Sequence, residues 1–177
     1  VAYQWNASGN EARRDEVIAA CSNHELVYTI WLTRPFDAAY VRQATLASKA
    51  QGLILEGEIP GFVPEAVDWA ACVAAVADLP IPKAVVTNFA PFVDVQGYPA
   101  PEKSKPLVDA GWACLTESYL GEAPNATPEN LDFYARSHLG WTETQPVIGI
   151  YGGKTFADYP TRDNYRNWSV WDAGEVL

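Results

Sequence analysis

The chain has 177 residues, 49% of them hydrophobic and 19% charged, a balance that fits one globular domain with a sizeable core and places it outside the disordered class. Its 22 acidic and 12 basic residues leave a net charge of −10. The basic residues gather only as Arg13-Arg14, as Lys103 with Lys105, and as the spaced Lys154, Arg162 and Arg166, so nucleic acid is not expected as a partner. No apolar run reaches the roughly 18 residues that cross a bilayer, so membrane insertion is not expected either.

In chain order, residues 1–5 read as a strand and 10–21 as a helix, followed by a strand at 25–32 and a helix at 37–50. A strand at 52–59, a helix at 64–79 and a strand at 83–88 come next, then a short helix near 104–110 and a strand at 112–119. The helix at 127–139 has the clearest boundaries: Thr127 can cap the orphan N–H groups, Pro128 suits the first helical position, and Gly140 can take the left-handed exit. A strand at 146–151, a polar and aromatic loop at 152–167 and a last strand at 168–173 complete the chain.

Successive strands begin 22 to 34 residues apart, the spacing of βα units rather than of hairpins, so the sheet is expected to be parallel. Strict alternation predicts an α/β fold of the (β/α)8 TIM-barrel type with seven strands present, the first βα unit lying outside this chain. Residues 1–177 are read as a single barrel domain, a piece of a longer polypeptide, since the sequence holds no methionine and opens directly on a strand. A doubly wound open sheet is the alternative. The turn after the first strand, Trp5-Asn6-Ala7-Ser8-Gly9-Asn10, lacks its glycine-rich phosphate signature. Gly152-Gly153-Lys154-Thr155 lacks the upstream glycine of a P-loop, where Ile148 stands instead.

Three cysteines, Cys21, Cys72 and Cys114, form no CxxC pair and read as small buried hydrophobes, and His24 and His138 cannot build a multi-histidine metal centre. No metal or cofactor is expected.

A barrel of this type keeps its chemistry at the C-terminal ends of its strands. Those ends carry Trp5, Trp31, Glu56 and Glu58, Asn88, Glu117 with Tyr119, Tyr151 and Trp171. Alternation puts Ile54, Glu56 and Glu58 on one strand face and Leu53 and Leu55 on the other; if the leucines pack on the helices, the glutamates face the barrel mouth. A carboxylate inside an apolar strand costs several kcal/mol unless it is paired or used. Glycoside hydrolysis uses two carboxyls, one as proton donor and one as nucleophile or base. Glu58 and Glu117 form the best pair, and a substrate-assisted variant would use Glu58 with Glu56 tuning it. In the alternative reading, Glu56 and Glu117 pair with Arg34, Lys83 or backbone donors and merely rim the barrel. Trp5, Trp31, Tyr119, Tyr151 and Trp171 offer ring faces to a sugar and Asn88 a hydrogen bond to its hydroxyls.

Residues Gly52-Leu53-Ile54-Leu55-Glu56-Gly57-Glu58 resemble a worn DxxDxDxE strand of family 18 chitinases, with Glu58 at the acid position and Glu56 at the last aspartate. Thr116-Glu117-Ser118-Tyr119 and Ser169-Val170-Trp171 stand where that family keeps a polar, tyrosine-bearing strand and a tryptophan floor. Ile54 departs from the pattern by replacing an acid. Gly149-Ile150-Tyr151-Gly152 is similar to a strand of lysozyme-like family 25 barrels, whose DxE is matched by Glu56-Gly57-Glu58. The run from LEGEIP through TNF, GWACLTESY and GIYGG resembles glycosidase-like barrel domains in minor tail proteins of phages that infect actinobacteria. The resemblance implies a carbohydrate-directed domain on a virion tail, with a cell-envelope glycan and other tail proteins as partners. A non-catalytic barrel that contacts neighbouring tail subunits, or a secreted or cytoplasmic bacterial glycoside hydrolase, are the alternatives.

Overall fold

The computed structural model describes residues 2–4, 11–32, 37–56, 67–87, 92–94, 96, 98–119, 128–150 and 169–172. Seven strands alternate with five helices among them: β1 (Ala2–Gln4), α1 (Glu11–Asn23), β2 (Thr29–Leu32), α2 (Ala38–Ser48), β3 (Gly52–Glu56) and α3 (Trp69–Ala75). They continue with β4 (Lys83–Thr87), α4 (Pro101–Asp109), β5 (Ala113–Tyr119), α5 (Pro128–His138), β6 (Thr144–Ile150) and β7 (Ser169–Asp172). The fold is α/β, and the strands form one sheet in the order β1-β2-β3-β4-β5-β6-β7, every pair parallel.

Local chemistry sets the element ends. Asp37 and Asp68 cap α2 and α3, their carboxylates accepting from the N–H groups of Tyr40 and Ala71. Lys49 and Gly140 leave α2 and α5 in the left-handed region, at φ 55° and 89°, the latter as the sequence requires. The segment 25–28, expected to open the second strand, instead turns: Glu25 has φ 54° and the N–H of Leu26 returns to the carbonyl of Cys21. Closing α1 consumes those residues, and β2 starts only at Thr29. The third helix is also shorter than its apolar pattern, because Asp68 supplies the cap well inside the expected 64–79 segment.

All five helices pack on one face of the sheet. The core joins Val41 and Ala44 of α2, Cys72 of α3, Leu107 of α4 and Ala135 of α5 to the strand residues Ile30, Leu32, Leu53, Leu55, Val85 and Cys114. Those strand residues alternate with Trp31, Ile54, Ala84 and Ala113, which lie on the opposite face at one common register position. Sequential order with same-sense crossovers is what keeps the helices on one side. Between helices, Arg42 clamps α2 to the end of α3, donating to Asp78 at 2.7 and 3.0 Å and to the carbonyl of Ala75 at 2.7 Å.

The strands are staggered in one direction. Thr29 and Gly52 begin β2 and β3 side by side, whereas β4 begins opposite Leu53, β5 opposite Ala84 and β6 opposite Cys114. From β3 to β6 each strand therefore starts one residue nearer the C-terminal edge than the one before.

Candidate functional site

Strand alternation places Trp31 on β2 and Glu56 on β3 on the face opposite the described helices, while Glu117 and Tyr119 take positions on β5 and Trp171 on β7. Leu53 and Leu55 are buried against the helix layer, so Glu56 belongs to the face expected from the pattern. Glu58, Trp5, Asn88 and Tyr151 lie outside the described residues.

The pairing register orders these positions further. Gln4 pairs with Trp31 and Trp31 with Ile54, and Glu56 follows Ile54 by two residues. Glu56 pairs with Val86 and Val86 with Leu115, and Glu117 follows Leu115 by two. Glu117 pairs with Val147 and Val147 with Ser169, and Trp171 follows Ser169 by two. Gln4, Glu56, Glu117 and Trp171 thus form one diagonal row across β1, β3, β5 and β7, running along the sheet's own stagger. Tyr119 lies two residues nearer the C-terminal edge than Glu117.

The positions next below this row are apolar. Trp31 and Val86 precede it on the even strands, and Ile54 and Leu115 on the odd ones. Although no described helix packs there, Val86 is only 5% exposed, and the Trp31 indole N–H is shielded from solvent without an acceptor among the described residues. Glu56 itself is half-buried. Lys83, one alternative partner for the glutamates, is engaged elsewhere: its ammonium donates to the carbonyls of Leu79 at 2.7 Å and Ile81 at 3.1 Å. Arg34 lies outside the described residues.

Gln4 escaped the sequence reading. It is a polar residue inside the apolar run VAYQW, the same signal that exposed Glu56, but an amide carries no charge to make its position costly.

The other titratable groups serve structure. Burial pushes the Cys72 thiol up to about 11 and the Cys114 thiol up to about 12, with nearby carboxylates adding to each. Such thiols are poor nucleophiles. His24 follows α1 in an exposed turn, and His138 ends α5 beside the rings of Phe133 and Tyr134. No group of three or more His, Cys, Asp or Glu suited to a metal ion occurs among the described residues. A groove of about 640 Å³ runs beside α5, lined by Asp132, Phe133, Arg136, Ser137, Trp141 and Thr142. It lies at the N-terminal end of β6, away from the strand ends that carry the glutamates. No helix among the described residues is long and apolar enough to cross a membrane.

Neither the protein-family models nor the curated proteins contain a match to the chain.

Proposed function

We propose that the sheet curls into a (β/α)-barrel and that the domain binds and hydrolyses a cell-envelope glycan at the C-terminal ends of its strands. Closure is supported by the burial of both faces. Parallel sheets bury both faces, yet all the described helices cover one face. Val86 is nonetheless buried on the other.

The observation that carries the functional reading is the placement of Glu56 and Glu117 on one diagonal two strands apart, Glu117 two residues beyond the register partner of Glu56, above an apolar floor. Backbone positions so related lie roughly 10 Å apart on a curved sheet. Two glutamate side chains can then bring their carboxyls into the range of about 5 to 9.5 Å used by glycosidases. Trp171 extends the row as a ring on which a sugar face can stack. In this reading Glu58 and Glu56 supply acids from the third strand and Glu117 the facing carboxylate, while Trp5, Trp31, Asn88, Tyr119 and Tyr151 contribute to the sugar-binding surface. The setting on a phage tail is supported by the sequence resemblance.

The test is incubation of the protein with soluble peptidoglycan fragments, reading new reducing ends and binding heat. Cleavage by the wild type that falls at least about 100-fold in Glu117→Gln, with an unchanged circular dichroism spectrum, supports hydrolysis. Binding without cleavage leaves a gripping domain. The absence of both rejects the glycan.

A further inference from the structure

The groove beside α5 lies away from the glutamates, and no step of the proposed hydrolysis uses it. We infer that it is a second carbohydrate site, in which one pyranose ring of a glycan rests on Phe133 while its hydroxyls bond to Asp132 and Arg136. The class of ligand rests on the glycan-directed reading above; the place does not.

The groove's volume of about 640 Å³ falls in the range that takes a small ligand. Asp132, Phe133, Arg136 and Ser137 stand at positions i, i+1, i+4 and i+5 of α5 and so share one helix face. Trp141 and Thr142, in the approach to β6, line the rest. The Trp141 ring is fixed: it packs on Phe92 with centroids 5.4 Å apart, and its indole N–H donates to the Trp112 carbonyl at 3.1 Å. Phe133 is 63% exposed, and a perpendicular contact with the His138 ring at 5.9 Å steadies it. A steadied ring that is open to solvent is a platform for the C–H face of a sugar.

The polar groups select the ligand. Thr144 donates its hydroxyl to one oxygen of Asp132 and orients the carboxylate. The other oxygen stands 3.6 Å from the Arg136 guanidinium, too far for a direct hydrogen bond. An acceptor and a donor are thereby set side by side with much of their capacity unused. An anion would meet Asp132 and a cation Arg136, each at the cost of a like charge. Neighbouring hydroxyls of a neutral sugar meet neither objection, since one donates to the carboxylate while the next accepts from the guanidinium. Ser137 and Thr142 add exposed hydroxyls. A long glycan held there stays beside the domain while the strand ends act on it, which raises the local concentration of chain.

The experiment titrates isotope-labelled protein with soluble peptidoglycan fragments and follows two sets of NMR signals. Backbone amides of residues 132–142 report the groove, and the Trp31 indole N–H reports the face that carries Glu56. Saturable shifts at 132–142 in the wild type, with affinity falling about tenfold in Phe133→Ala and again in Arg136→Ala, support the site. Both side chains are exposed, and an unchanged amide spectrum elsewhere confirms the fold. Shifts at 132–142 that neither variant weakens overturn the assignment. Shifts at Trp31 alone overturn the groove and leave the glycan at the strand ends. Shifts at 132–142 alone keep the groove and count against the strand ends. The absence of both overturns both.

Discussion

Gly52 of β3 and Thr29 of β2 face each other across one parallel pair, and a Cβ at residue 52 would stand 2.8 Å from Thr29 Oγ1 and 3.3 Å from its Cγ2. The glycine is buried, so the hydroxyl side chain occupies the space that any larger residue there would need. Both residues lie on the helix-free face, at the end of the sheet remote from the glutamates.

Gly52→Ala should lower stability by about 1–3 kcal/mol through overpacking. Thr29→Ala removes both crowding atoms and leaves only the 3.5 Å contact to Cβ. The double variant should therefore be more stable than Gly52→Ala alone, and a double-mutant cycle in urea reads the coupling. Additive effects would mean that the two side chains do not meet.

Thr116 offers a contrasting case. It is 1% exposed on the helix-packed face of β5, and its hydroxyl has no partner among the described residues. An unpaired buried hydroxyl costs free energy that a methyl of the same shape does not. Thr116→Val should raise stability by about 1 kcal/mol, seen as a higher urea midpoint at unchanged slope. A lower midpoint would reveal a hydrogen bond that the valine has broken.

The cysteines predict an alkaline limit. In the folded protein burial holds the Cys72 and Cys114 thiols neutral up to about 11 and about 12, against an ordinary value of 9.0. Below pH 9 both states keep the protons and stability is unaffected. Above it the unfolded chain ionises first, so stability falls as pH rises toward the folded values, with a slope of up to ~1.4 kcal/mol per pH unit for each thiol. The variant Cys72→Ala/Cys114→Ala should start less stable at pH 7 and decline less steeply between pH 9 and 11. In the native wild type, a thiol-reactive disulfide reagent should modify both only at the rate of unfolding.

The elements were legible in the sequence where periodicity and capping agree. Leu53 and Leu55 alternate with Ile54 and Glu56, and that pattern alone put them on the face opposite Glu56, which the structure shows to be the helix-packed one. Glu56 and Glu117 stood out because a charge in an apolar strand demands a reason. The turn at Glu25 was hidden because Leu26 and Val27 look like strand residues, although they are 46% and 52% exposed. The row from Gln4 to Trp171 was not legible at all. It depends on which residues pair between strands far apart in the chain, and hydrogen-bond register leaves no trace in local composition.

Phe92, in the connection between β4 and α4, is fully buried, with its ring centroid 5.4 Å from Trp69 at the start of α3 and 5.4 Å from Trp141 ahead of β6. Trp141 in turn donates its indole N–H to the carbonyl of Trp112 at 3.1 Å. One ring from a connection thus spans three successive βα units that would otherwise touch mainly their nearest neighbours. Unfolding is thereby made cooperative across the C-terminal half. Loss of the Trp141 ring would leave Phe92 without one wall of its packing, and with it the link between α3 and the approach to β6.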